Sequence, residues 1–146
     1  MKYENIKLGL ASEADSIILL TEKYLSAIPK SSTTVFGASE EEIKKAHSEY
    51  RRYTNSLIAR IEETDALAAA LSSLVCRSDL EMNNEETIRA SLLFDEYCRW
   101  KRSASDFMTA TDLLFTKKKG EFRYSTLVTT AQRFYESTKL MKGMLI

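Results

Sequence analysis

Between Gly37 and Gly120 the chain contains neither proline nor glycine, and this feature limits the fold more than any other. Sheet proteins turn every few residues, and those turns draw on glycine and proline for backbone angles that other residues avoid. Four glycines and one proline among 146 residues leave an all-β architecture without its turns. Long helices need none. The sequence therefore specifies an all-α fold, and its length suits a single helical-bundle domain over 1–146.

Apolar spacing locates the helices. Before Pro29, residues Ile6, Leu10, Ala14, Ile17, Leu20, Tyr24 and Ile28 fall on one helical face. They define a helix from Tyr3 to Ile28, with an interruption expected near Gly9 or a later start at the capping-box pattern Ser12 to Asp15. Residues 30–38 read as a loop. Ser39 followed by Glu40, Glu41 and Glu42 is a helix start, with carboxylates at the positive end of the dipole. The second stripe runs through Ile43, Ala46, Tyr50, Tyr53, Leu57, Ile61, Thr64, Ala68, Leu71 and Val75. Unbroken to Ser78 it is close to 40 residues, roughly 60 Å long. Thr64-Asp65 is its weakest point.

Met82-Asn83-Asn84 supplies the next turn. A third stripe, Ala90, Leu93, Tyr97, Trp100, Ala104, Phe107, Thr111 and Leu114, alternates steps of three and four, the pattern of a coiled-coil seam. Gly120 ends this stretch after Lys117, Lys118 and Lys119. The fourth stripe is Tyr124, Leu127, Ala131, Phe134, Thr138 and Met141, closed by Gly143. Short connections make neighbouring helices antiparallel. The expected architecture is an up-down bundle of four long helices with coiled-coil-like packing, or five helices if the second breaks.

Chemistry is harder to place. His47 is the only histidine, so neither a typical zinc site nor a di-iron bundle site can form, and no metal or cofactor is expected. The segment His47-Ser48-Glu49-Tyr50-Arg51 has no glycine to open room beside the ring for phosphotransfer, and His47 reads as a surface or boundary residue. Cys76 and Cys98 sit at unequal distances from the Asn83 turn, too far apart axially for a disulfide. No phosphate-binding loop or serine elbow is present. Twenty-one basic residues balance twenty-one acidic ones, so nucleic acid is not an expected partner. The start Met1 to Asn5 has no apolar run behind it, and no apolar run, Ile17 to Leu20 included, approaches the length of a membrane span. A cytoplasmic location is expected.

What remains is interaction. The two middle helices should overhang the outer pair by roughly 15 to 25 Å, leaving the apolar face through Leu71 and Val75 without cover. Tyr50, Tyr53, Leu57, Leu71, Val75, Tyr97 and Trp100 are the expected partner-binding residues, because aromatic stripes suit interfaces. The expected function is a non-catalytic protein–protein interaction or assembly module, its partner a second copy in a homodimer or another helical protein. An alternative is a peripheral binder of anionic membrane surfaces through Lys117, Lys118, Lys119 and Arg123. A further alternative is an enzyme or small-ligand sensor with a core pocket, for which Thr64, Thr111 and Thr138 are the stripe residues that could form a polar layer.

Overall fold

The computed structural model describes residues 2–27, 40–76, 84–116 and 124–145, with side chains described over 2–26, 51–76, 85–112 and 127–145. These residues form four helices: α1 (Tyr3–Ala27), α2 (Glu40–Cys76), α3 (Asn84–Thr116) and α4 (Tyr124–Gly143). At 1.5 Å per residue they are about 38, 56, 50 and 30 Å long. The second helix does not break. It runs as 37 continuous residues through Thr64-Asp65, so the bundle has four helices among the described residues.

Local chemistry sets several ends. The Lys2 carbonyl accepts the first bonds of α1, from the amides of Asn5 and Ile6. The described part of that helix ends at Ala27. Glu85 and Glu86 occupy the first turn of α3, where carboxylates complement the helix dipole. After Gly143, the amides of Met144 and Leu145 bond back to Met141 and Lys142, and this turn folds the buried Leu145 under the core.

Each helix packs on its two neighbours in the order α1–α2–α3–α4–α1. Arg60 against Glu13, Tyr97 against Asp65 and Thr138 against Trp100 show consecutive helices running in opposite directions. The buried positions step by three and four along α1, α2 and α4; in α3 they do so except that half-buried Tyr97 fills the gap between Leu93 and Trp100, and Ala110 is buried beside Thr111. In α2 they are Thr54, Leu57, Ile61, Thr64, Ala68, Leu71 and Leu74; in α4 they are Leu127, Ala131, Phe134, Thr138, Met141 and Leu145. The observed α2 face thus takes Thr54 and Leu74 inside and leaves Tyr53 and Val75 at its edge.

Gly9 does not interrupt α1, and Ser12 does not start it. The glycine instead admits α2. A methyl group at Gly9 would lie 3.0 Å from both terminal carbons of Leu67. Close approach, rather than a helix end, explains a glycine here.

The widest side chains stack across the part of the bundle where all four helices meet. Phe94 contacts Tyr97, which contacts Trp100; Phe134 then links Trp100 to Phe107, with ring centroids 5.3–5.8 Å apart. Tyr24 completes the run edge-on to Phe107 at 5.1 Å. Such geometry matches the quadrupole preference of aromatic pairs.

Candidate protein-binding groove

The bundle has one short member. Trp100 Nε1 donates to Thr138 Oγ1 at 2.9 Å, which fixes the α3–α4 register. From Thr138 to Gly143 is five residues, and five residues back from Trp100 is Asp95. Below that level α4 is gone, while α3 continues to Asn84, about three more turns. The α1 helix also continues, down to Tyr3, and α2 runs on to Cys76.

The early stop of α4 leaves an open groove of about 360 Å³ between α1 and α3. Tyr3 and Lys7 form its α1 wall, Arg89 and Leu92 its α3 wall, and Met144 closes its upper end. Leu92 is 52% exposed and Met144 40%. Ile88, 62% exposed, lies one turn before Leu92 on the same face of α3. Of the six exposed large hydrophobic side chains among the described residues, Leu92 and Met144 line this groove and Ile88 extends the α3 wall; Leu8, Leu19 and Leu140 are the others. A second groove of about 480 Å³ opens between α1 and α2, lined by Ser16, Leu19, Leu20, Ser56, Ala59 and Arg60, and Arg60 is already paired there with Glu13.

Two cations, Lys7 and Arg89, stand on opposite walls of the α4-end groove, with the carboxylates of Glu4 and Glu86 near enough to act on Tyr3. Lys7 Nζ lies 5.3 Å from the centre of the Tyr3 ring and 3.8 Å from the exposed Glu4 carboxylate. Arg89 Nη2 donates to Glu85 Oε1 at 2.6 Å, with both groups well exposed. Burial raises the pKa of the Tyr3 phenol above its usual value, and Glu4 adds to the effect. Tyr3 therefore stays a neutral hydroxyl at ordinary pH. The arrangement offers apolar area, a phenol and two positive charges, which is a recognition surface.

The partner-binding residues expected from the sequence lie elsewhere. Leu57, Leu71 and Trp100 belong to the core, and Trp100 has no exposed surface. Tyr53, Val75 and Tyr97 are half-buried and pack against that core. The expected overhang is present on one side and absent on the other: α3 runs about three turns past the end of α4, whereas α1 reaches the same end as the last turns of α2, as the Gly9–Leu67 contact shows, and Leu71 is fully buried there. The Tyr50 and His47 side chains, and Lys117, Lys118, Lys119 and Arg123, lie outside the described residues.

The threonines are buried without forming a shared polar layer. Thr64, Thr111 and Thr138 each donate to the carbonyl four residues earlier at 2.8–2.9 Å, and Thr21 does the same to Ile17. Threonine hydroxyls in helices commonly satisfy themselves this way. Cys76 and Cys98 are free thiols, as their expected separation requires. Among the described residues no group of three histidines, cysteines or carboxylates is placed to hold a metal, and no helix is long and apolar enough to cross a membrane.

Sequence reasoning missed the groove because it followed the stripes. Ile88, Leu92 and Met144 sit off them. The off-stripe apolar pair Ile88 and Leu92 at a four-residue spacing was the available signal. No family model matches this sequence, and neither a curated protein nor a solved structure matches it.

Proposed function

We propose that this chain is a non-catalytic protein-binding scaffold, built on coiled-coil-like seams, that engages a helical protein partner where α4 ends. The observation carrying this reading is the gathering of Leu92 and Met144 with Tyr3, Lys7 and Arg89 around one open groove. Ile88, exposed one turn before Leu92, extends the apolar area along α3. Contiguous exposed apolar surface with a polar border is the usual mark of a protein interface. The buried hydroxyls of Thr21, Thr64, Thr111 and Thr138 each donate within their own helix, and Thr138 also accepts from the Trp100 indole, which favours rigid support over chemistry. A reducing cytoplasmic setting fits the two free thiols, one of them exposed.

The test is site-specific photo-crosslinking in the cells that make the protein. A photoreactive residue at Ile88 should give a discrete protein adduct. The same residue at Leu8, equally exposed on the outer face of α1, should give none. No adduct at Ile88, or the same adducts from both positions, would overturn the reading.

A further inference from the structure

We infer that the α4-end groove takes an acidic amphipathic helix of about three turns, which continues the place in the bundle that α4 vacates. The inference rests on the protein-binding reading of the same groove and names the kind of partner.

Its length follows from the walls. On α3 the stretch without an α4 neighbour runs from Asp95 back to Asn84, and α1 lines the other side as far as Tyr3. A helix seated there meets apolar side chains along the line between the walls, with Leu92 beside it and Met144 at its upper end. Its own apolar residues must then recur at three- and four-residue steps, as those of α4 do.

Its charge follows from a reversal along α1. Where α4 is present, it brings the cation: Lys142 pairs with Asp15 on α1. About two turns further down, α1 presents Lys7 instead, and α3 presents Arg89. The residues lining the groove include two cations and no carboxylate. The present partners of these cations, Glu4 and Glu85, are neighbours on the same helix that lie exposed outside the groove lining. Such pairs hold weakly and exchange easily. An incoming helix with a carboxylate on each flank satisfies both walls. One with lysines in those places is repelled from both.

Two synthetic peptides of about fourteen residues test this, sharing one leucine stripe and carrying either glutamates or lysines on its flanks. Binding of each to the full chain is read by fluorescence anisotropy at low salt. The glutamate peptide should bind at least about tenfold more tightly than the lysine peptide. Lys7→Gln with Arg89→Gln should remove most of that preference. Leu92→Glu should abolish binding of both peptides, and Leu8→Glu should leave it unchanged. Leu92 and Leu8 are both exposed, so circular dichroism should show unchanged folding in these two variants.

Equal binding of the two peptides, no binding of either, or binding that survives Leu92→Glu would overturn the acidic-helix inference. Light scattering on the unliganded protein separates this failure from that of the broader reading. A dimer dissolved by Leu92→Glu would make a second copy the occupant, which overturns the acidic helix and keeps the protein-binding face. Failure of the peptides together with an absent Ile88 crosslink would remove both.

Discussion

The middle of α3 and its N-terminal end face different surroundings, and the contrast separates what holds this protein together from what it presents. Beside Trp100, four helices meet and each of the four seams carries a cross-helix polar link. Glu13 and Arg60 join α1 to α2; Asp65 takes bonds from both Tyr97 and Lys101 between α2 and α3. Trp100 and Thr138 join α3 to α4, and Lys142 returns to Asp15 on α1. Beside Arg89, three helices remain and the filling is mainly aliphatic, Ile6, Leu10, Leu71, Leu74 and Leu93, with Tyr3 the one buried aromatic named there. The ion pairs Lys7–Glu4 and Arg89–Glu85 stay within one helix there. Directional bonds across seams set register; unpartnered apolar faces invite contact. The middle is specified, and the end is left open.

The largest effect should come from breaking the specified middle. Trp100→Ala removes the widest fully buried side chain and leaves Thr138 without its indole donor. The expected loss is about 3–5 kcal/mol in urea unfolding. Leu71→Ala in the three-helix end should cost about 2–3 kcal/mol, because the helices beside an open groove can relax into the space. Equal losses at the two sites would mean that the middle and the end are equally rigid.

This contrast was only half legible in the sequence. Helix number, order and direction followed from apolar spacing and from the scarcity of proline and glycine, because periodicity reports burial directly. The location of the uncovered surface did not. It depends on how far each helix slides along its neighbours, and that is decided by contacts distant in sequence, such as Gly9 on Leu67 and Trp100 on Thr138. A residue such as Leu71 looks the same on a stripe whether a neighbour covers it or not. Only the off-stripe pair Ile88 and Leu92 was a local sign.

The α2–α3 seam gives a smaller, pH-dependent effect. Burial first, and then the hydrogen bond to Asp65, raises the Tyr97 pKa well above the ordinary tyrosine value of 10.0. In the unfolded chain this phenol ionises near that ordinary value, whereas the folded chain holds its proton. The stabilisation is therefore complete below about pH 10 and declines as pH rises from there through the folded pKa. Tyr97→Phe should flatten the alkaline fall in stability, followed by urea unfolding between about pH 9 and 11. At neutral pH, Asp65→Asn should cost about 1 kcal/mol, since Lys101 and Asp65 are both partly exposed.

The smallest expected effect sits at the boundary between the specified middle and the open end. Gly9→Ala adds a helix-favouring methyl to the middle of α1, a gain of about 0.8–1 kcal/mol in propensity. The same methyl meets Leu67 Cδ1 and Cδ2 at 3.0 Å, which is too close to leave both in place. Those atoms are the free end of a half-buried side chain, so Leu67 can rotate away from α1 at modest cost. The two terms nearly cancel, and the net change should lie within about 0.5 kcal/mol of zero. Leu67→Ala in the Gly9→Ala background removes the clash and keeps the propensity gain. A double-mutant cycle on the pair should therefore show favourable coupling, with the double variant more stable than the sum of the single changes implies. Additive changes would show that α1 and α2 are not pressed together at this glycine, and the close approach would lose its role in setting how far α1 reaches past the end of α4.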